Sequence, residues 1–289
     1  MVRKTVRVHM RSYSTETASR ARVDKLAGEE PLEVRLNGAE FTVLMRTPGH
    51  DVELIHGLLL SEGLITVKDD IESIDFSYGL GASGTRDYNT ALVRLNPAIT
   101  IPEMSRRNVY TSSSCGICGT QARDAVEKIS AYPPQPAYTE AQQLSITELL
   151  RLPTALRDNQ PLFSTTGGVH AAGLFTFSDD RQDTARVETA PRVVREDVGR
   201  HNAVDKLLGW ALLRGYLPLK RTVIQVSGRA SYELVQKAYM GGASVLSAVS
   251  APSYAACELA ENSQITLVGF NRSTRCNVYA HHERLWEGS

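Results

Sequence analysis

The chain lacks any run of about 18 uninterrupted apolar residues, the length a membrane-spanning helix needs, and its start, MVRKTVRVHMRSYSTETASR, has no apolar stretch ahead of a cleavage site. The expectation is a cytoplasmic protein that neither crosses nor enters a membrane. It also lacks net charge: 32 Lys and Arg balance 32 Asp and Glu, and the pI is near 7.1. With no bulk field to attract phosphate backbones, nucleic-acid binding is not expected, and any anion site has to be built locally. Cysteine is scarce, limited to Cys115, Cys118, Cys257 and Cys276, too few and too unevenly spaced for a disulfide scaffold of this size. Tandem repeats and low-complexity tracts are missing as well. What remains is ordinary globular composition, 42% hydrophobic and 22% charged over 289 residues, enough for a sizeable core in two lobes.

Residues 1–30 are polar, basic at first and without sustained periodicity, which predicts a polar tail, largely disordered or loosely attached. From Pro31, PLEVRLNGAEFTVLMR holds two strand-like runs around Asn37-Gly38, a dipeptide that tolerates the positive φ angles of a tight hairpin. TPGHDVELIHGLLLSEG predicts a helix beginning at Thr47 and Pro48, with Val52, Ile55, Leu58 and Leu59 on one face and Gly63 as its stop. Strands near IESIDFSY and ALVRLN complete a small α+β lobe over residues 31–105. Residues 106–135, where Ser112, Ser113, Ser114, Gly116 and Gly119 surround two cysteines, predict an exposed, mobile loop.

The second half has another rhythm. HNAVDKLLGWALL places Val204, Leu207, Leu208 and Ala211 at helical spacing. TVIQV, RASYELVQKAYMGG, ASVLSAVS, YAACELAEN and ITLVGF then alternate strand, helix, strand, helix, strand. That order predicts a parallel βαβαβ unit covered by helices, within an α/β domain over residues 136–289.

Cys115-Gly116-Ile117-Cys118 is the sharpest chemical feature. Two sulfurs at this spacing can share a metal, exchange a disulfide or pass sulfur between them, and the spacing does not choose. Structural zinc needs four ligands, and no second CxxC or HxxxH completes the set, which leaves only a site borrowing His170 and His201. Two incidental thiols are the bland alternative. Ser227-Gly228-Arg229, at the carboxyl end of TVIQV, offers an anion-binding turn or merely a capped helix beside a solvated Arg. Phe270-Asn271-Arg272-Ser273-Thr274-Arg275 follows the last parallel strand, where open α/β folds place nucleotides, though a polar surface turn reads equally well. In Glu196-Asp197-Val198-Gly199-Arg200-His201-Asn202, Asp197 is positioned to cap a helix, and His201 and Asp205 lie one turn apart. His170 reads as a satisfied core or edge histidine, and Cys257 and Cys276 as packing residues.

Taken together, GLLLSEGLI (57–65), SCGICG (114–119), HAAGLF (170–175), EDVGRHNAVDKLLG (196–209), SGRASYELVQKAYMGGASVLSAVSAPS (227–253) and TLVGFNRSTRCNVYAH (266–281) make the chain resemble the FdhD family, the formate dehydrogenase accessory sulfurtransferases. The resemblance spans roughly residues 31–285. It implies an α/β fold with a cytidine-deaminase-like three-layer C-terminal lobe beside the smaller α+β N-terminal lobe, and a homodimer. It implies that a cysteine desulfurase loads sulfur onto the CxxC as a persulfide, for delivery to the molybdenum or tungsten bis(molybdopterin guanine dinucleotide) cofactor of formate dehydrogenase. By position, Cys115 would carry the sulfur and Cys118 would act as the second, relay or resolving, thiol. The family's guanine dinucleotide contact falls on Phe270, Asn271, Arg272, Ser273, Thr274 and Arg275. Arg106, Arg107 and Arg123 are near in sequence and able to favour a thiolate. Deaminase chemistry itself is not expected, because HxE followed by PCxxC is absent and the one HxE, His281-His282-Glu283, comes after the CxxC. No tightly held metal of the protein's own is expected.

Overall fold

The computed structural model describes residues 3–16, 19–80, 86–101, 129–134, 143–177, 184–185 and 187–286. Most of the expected CxxC loop, residues 106–128 and 135 with Cys115, Cys118, Arg106, Arg107 and Arg123, lies outside the described residues; of the described part, Ser130 is buried and bonds the Met240 carbonyl.

The first elements correct the expectation of a polar tail. β1 (Thr5–Ser12) and β2 (Arg20–Ala27) form an antiparallel ribbon, with Val6 opposite Leu26 and Met10 opposite Arg22. Both strands are mostly exposed; in β1, Val6, Val8 and Met10 alternate with Arg7, His9 and Arg11, a strand period that the reading of a tail passed over among the surrounding charges.

β3 (Glu30–Leu36) and β4 (Ala39–Arg46) form the expected hairpin, with Asn37 and Gly38 at φ 48° and 86°. β5 (Ile71–Leu80) and β6 (Arg86–Leu95) complete a four-stranded sheet in the order β4-β3-β6-β5. The intervening helix α1 runs over Asp51–Ser61 and starts later than expected. Thr47 cannot open it because its backbone N–H donates to Asp197 and its hydroxyl accepts from the N–H of Val198. Gly49 and His50 then turn the chain at positive φ. Val52 points to solvent rather than inward, whereas every residue from Leu54 to Ser61 is buried.

After β7 (Gln143–Ser145), three short helices follow: α2 (Ile146–Leu149), α3 (Leu152–Asp158) and α4 (Pro161–Thr166). The large sheet is built from β8 (His170–Thr176), β10 (Val193–Asp197), β11 (Thr222–Val226), β12 (Val245–Ala248), β13 (Thr266–Arg272) and β14 (Arg275–Ala280), in the order β10-β8-β11-β12-β13-β14. β11, β12 and β13 are mutually parallel, as the alternating rhythm predicts, and β8, β10 and β14 run antiparallel to their neighbours. Helices α5 (Arg200–Leu213), α6 (Tyr232–Met240) and α7 (Tyr254–Asn262) connect these strands. Two-residue strands β9 (Thr184–Ala185) and β15 (Leu285–Trp286) flank β7.

Alternation along the strands sends side chains to two apolar layers. Ala172, Leu174, Ile224, Leu246 and Leu267 face α5, α6 and α7, and Ala171, Phe175, Val223, Val245 and Val268 face Leu149, Leu152 and Leu156 of the short helices. The first layer does not stop at a lobe boundary. It continues through α1 to Leu32, Val34, Ala91 and Val93 of the small sheet, so the two expected lobes share one core.

The junction is a crossing of α1 and α5 at two glycines. A methyl group built on Gly57 would overlap the carbonyl of Asp205, and one on Gly209 would overlap the carbonyl of Glu53. Because the obstacle is backbone, no rotamer change relieves it. Gly209→Ala is expected to lower stability by about 2–3 kcal/mol, read as a urea midpoint shift, and an unchanged midpoint would contradict so close a crossing.

An ion pair holds the same junction. Arg195 on β10 grips Glu53 on α1 through two hydrogen bonds of 2.5 and 2.7 Å, and His50 adds a third contact at 3.3 Å. Burial pushes the Glu53 carboxyl up, but the hydrogen bonds and charges of Arg195 and His50 together outweigh it and hold the pKa down at about 2. A depressed carboxyl contributes stability that is fully present above its unfolded value near 4.5 and is lost as pH falls through 2. The stability gap between the wild type and Glu53→Gln should therefore be constant above pH ~5 and shrink below it, by on the order of 2–3 kcal/mol in all. A gap independent of pH would contradict this pairing.

Candidate functional site at the carboxyl edge of the large sheet

The strand directions bring four separate motifs to one edge. β10, β11, β12 and β13 all end there, and β8, antiparallel to β11, begins there. His170, Val198 and Ser227 line one cavity there, and the turn from Phe270 to Arg275 lies farther along the same edge, beyond β12. The cavity, of about 600 Å³, opens at this edge. Its floor is His170, Val198, Ser227 and Val249, and its far wall is Leu156, Arg157, Gln160 and Phe163 from α3 and α4. An open parallel sheet leaves such a crevice beyond its carboxyl ends because the connecting segments leave in opposite directions.

The acidic residues of the Glu196–Asn202 motif are committed to building this edge. Glu196 accepts hydrogen bonds from the backbone N–H groups of Leu162 and Phe163 at 3.0 and 2.8 Å, so a carboxylate from β10 caps α4 and fixes the cavity wall. Asp197 is wholly buried and accepts from the N–H groups of Thr47 and Gly199, the amide of Asn202 and the ammonium of Lys206. It does not cap α5 in the way its position suggests: the N-cap is Gly199, with no side-chain bond. His201 and Asp205, one turn apart, do not pair with each other. His201 bonds Glu233 at 2.7 Å, and Asp205 takes Lys237 and the Ser61 hydroxyl instead. Helical spacing brought the two within reach, but α1 and α6 supplied stronger partners.

His170 is not the satisfied histidine its sequence context suggests. It is half-buried on the cavity floor and has no hydrogen bond among the described residues. Burial, then the charges of Arg200 and His201, push its pKa down against a weaker pull from Asp197, so the ring is neutral at pH 7. Beside it, the Nε of Arg200 is buried with no partner among the described residues. Glu233 is held below the usual carboxylate range, first by its hydrogen bond from His201 and against the cost of burial.

The Phe270–Arg275 turn lies beyond the last parallel strand, as expected, and its six residues divide in two. Asn271 is fully buried, and its amide donates to the Leu149 carbonyl, Gln225 and Ser247, so it ties the turn to the sheet. Arg272, Ser273, Thr274 and Arg275 are exposed. The Arg272 guanidinium lies 5.8 Å from the Phe270 ring centre and its Nε donates to Val249 of the cavity floor, and Ser273 meets Thr154 at 3.1 Å. Phe270 and Ser273 both take positive φ, which bends the chain over the edge. Arg229 is exposed and Ser231 is the N-cap of α6, so the Ser227-Gly228-Arg229 turn contributes through Ser227, whose hydroxyl accepts from the Ala171 N–H.

Sequence reading missed the α3–α4 wall. Gln160 is 3% exposed and its amide nitrogen has no partner among the described residues, while Arg157 stacks at 3.7 Å over Phe163. The only signal was Asp158-Asn159-Gln160-Pro161, a helix break that looks like a surface linker. Cys257 and Cys276 are partly buried against the two apolar layers, and burial pushes both thiols up, which agrees with packing roles. No group of three potential metal ligands occurs among the described residues, and no helix among them is long and apolar enough to cross a membrane.

Comparison with known proteins gives a family and a fold. The model of the FdhD/NarQ family matches residues 27–286. A protein of Mycolicibacterium paratuberculosis named sulfur carrier protein FdhD is 47% identical, covering 92% of this chain and 93% of that one. Its namesake in Streptomyces avermitilis is 46% identical over 98% and 94%, and that of Sulfurisphaera tokodaii 37% identical over 91% and 92%. Among solved structures, a candidate formate dehydrogenase accessory protein from Desulfotalea psychrophila superposes with a TM-score of 0.70 at 22% identity, covering 98% of this chain and all of that one.

Proposed function

Because the chain belongs to the FdhD/NarQ family, we propose that it is a sulfur carrier serving formate dehydrogenase, which takes persulfide sulfur from a cysteine desulfurase and passes it to the bis(molybdopterin guanine dinucleotide) cofactor of molybdenum or tungsten. The observation that carries the reading is its identity of 46–47%, over nine-tenths of each chain, to proteins named sulfur carriers. The cavity supports it: a crevice at the carboxyl ends of parallel strands, to whose lining residue Val249 the Phe270–Arg275 turn is tied through Arg272, suits a nucleotide-bearing substrate. In this reading the large sheet and its two helical layers are the cytidine-deaminase-like unit, and the protein acts as a cytoplasmic homodimer. A shared architecture does not bring deaminase chemistry with it.

The sulfur steps balance on the two CxxC cysteines. The Cys115 thiolate attacks the terminal sulfur of the desulfurase persulfide, the S–S bond there breaks, and the desulfurase leaves as a thiolate. No electrons are gained or lost overall. Attack of the Cys118 thiolate on the inner sulfur of the Cys115 persulfide then closes a Cys115–Cys118 disulfide and expels the terminal sulfur as sulfide toward the metal. The cysteine pair supplies the two electrons, and a dithiol reductant resets it.

The test is label transfer. With desulfurase, sulfur-labelled cysteine and unsulfurated formate dehydrogenase, label should reach the dehydrogenase cofactor only when this chain is present. Activation without label transfer would replace the carrier by a cofactor-binding chaperone.

A further inference from the structure

The β1–β2 ribbon belongs to neither apolar layer. It is a sheet of two strands, a form that is marginally stable alone in water. Its root is held beside the cavity: β2 packs on α4, and Ala27 sits 3.9 Å from where a Cβ on Gly168 of the cavity rim would stand. Directly opposed residues share a face of a strand pair, and successive residues alternate between faces. One face of the ribbon therefore carries Arg7, His9 and Arg11 from β1 and Ala21, Val23 and Lys25 from β2, and none of its paired residues is a carboxylate. Arg7 stands directly opposite Lys25, and like charges so placed weaken the pairing. Arg7, Arg11 and Lys25 are exposed, and none has an ion pair or side-chain hydrogen bond among the described residues. In a chain with as many acids as bases, three cations left together on one face without an acid are offered to an acid from outside. Apolar surface goes with them, since Val6, Met10, Val23 and Leu26 are all exposed. Apolar and basic side chains together suit a protein surface, whereas a phosphate backbone asks for charge alone.

We propose that the face of the β1–β2 ribbon bearing Arg7, Arg11 and Lys25 is a docking arm for an acidic surface of the unsulfurated formate dehydrogenase. This rests on the proposed sulfur-carrier function and names the surface by which the carrier meets its client. Position selects the dehydrogenase as occupant. The ribbon leaves the body at the cavity rim, so a protein bound along it stands at the mouth through which a cofactor enters or leaves. Charge on such an arm acts chiefly on the rate and orientation of encounter. Its field fades within about 8 Å at physiological salt, so only cations that stand out from the body can reach a partner ahead of contact.

The experiment measures binding of unsulfurated formate dehydrogenase to the immobilised full chain at low and high salt, beside desulfurase-driven sulfur loading read by intact mass. Combining Arg7→Glu, Arg11→Glu and Lys25→Glu should weaken binding at low salt by at least ~10-fold, mainly through slower association, and abolish its salt dependence. Sulfur loading should be unchanged. The same change of charge at exposed positions elsewhere, Arg94→Glu with Arg214→Glu and Lys220→Glu, should leave binding unchanged. Lys25→Glu alone separates docking from folding of the ribbon. It sets a carboxylate opposite Arg7, so hydrogen-exchange protection in β1 and β2 should hold or rise while binding falls. Equal binding by wild type and the triple variant, or an equal loss in the charge-matched control, would overturn the arm. So would a loss of binding seen only where protection of the ribbon is lost, or a loss of sulfur loading with dehydrogenase binding intact, which would give the arm to the desulfurase. A shift of the triple variant to a smaller assembly in solution would overturn it by making the ribbon a contact between copies, and tighter binding of short double-stranded DNA than of the dehydrogenase would overturn it as well. Wild type that takes sulfur but binds no dehydrogenase would overturn the arm and leave the carrier standing. Wild type that binds the dehydrogenase through these cations but takes no sulfur would support the arm and remove the carrier.

Discussion

Alanine at both Cys115 and Cys118 is expected to give a folded protein that no longer activates formate dehydrogenase at all. The sulfur chemistry described above has no other pair of thiols to use. Cys257 and Cys276 are partly buried in the two apolar layers, and burial raises both pKa values, which lowers the thiolate fraction that any attack requires. Neither can substitute. The single variants should differ in kind. Cys115→Ala has no carrier and should lose loading and activation together. Cys118→Ala should still load sulfur but deliver it at least ~10-fold more slowly, because the resolving attack is gone. The folding of all three should match the wild type, read as an unchanged urea midpoint. Activation retained at the wild-type level in the double variant would end the carrier account and leave a chaperone.

The second large effect lies in the buried ion pair that supports the site. Asp197→Ala is expected to destabilise the protein by about 3–5 kcal/mol, a large part of the roughly 5–15 kcal/mol that domains of this kind possess. Asp197 and Lys206 are 0% and 1% exposed and meet at 2.6 Å. Removing the carboxylate takes a partner from four donors: the N–H groups of Thr47 and Gly199, the Lys206 ammonium, and the Asn202 amide, which keeps the Met45 carbonyl at 2.8 Å. The ammonium would keep only the carbonyls of Thr47 at 2.8 Å and Glu196 at 3.4 Å. Burial already pushes the Lys206 pKa down in spite of Asp197, so without its partner the group would lose its proton or admit water. Adding Lys206→Met should recover part of the loss, because the stranded charge goes with it. Urea denaturation of the two single variants and the double variant checks this. Losses that simply add, or a loss below ~1 kcal/mol for Asp197→Ala, would contradict the picture.

How far the sequence foretold this depends on where each element found its partners. The βαβαβ run was legible because β11, β12 and β13 are apolar stretches of strand length separated by helical ones, and the parallel sheet follows from that order. Asn37-Gly38 announced its hairpin because the turn needs positive φ at both positions. The β1–β2 ribbon gave only a short signal, Val6, Val8 and Met10 alternating with Arg7, His9 and Arg11, while β2 is charged and exposed along almost all its length and its pairing with β1 is visible only in three dimensions. Thr47 looked like a helix start until Asp197, 150 positions away, took its N–H. His201 and Asp205 satisfied a helical spacing rule that Glu233 and Lys237 overrode. Gln160 escaped notice because its burial is imposed by α4, which Glu196 anchors from another strand. The motifs of the site were thus readable one by one, but their meeting at one sheet edge was not.

The measurement that tests the central claim most directly is the intact mass of the protein after incubation with a cysteine desulfurase and cysteine, with peptide mapping under non-reducing conditions. The account predicts a gain of one sulfur atom on the peptide that contains Cys115 and Cys118, absent in Cys115→Ala. No gain with a desulfurase that is active on cysteine would contradict it.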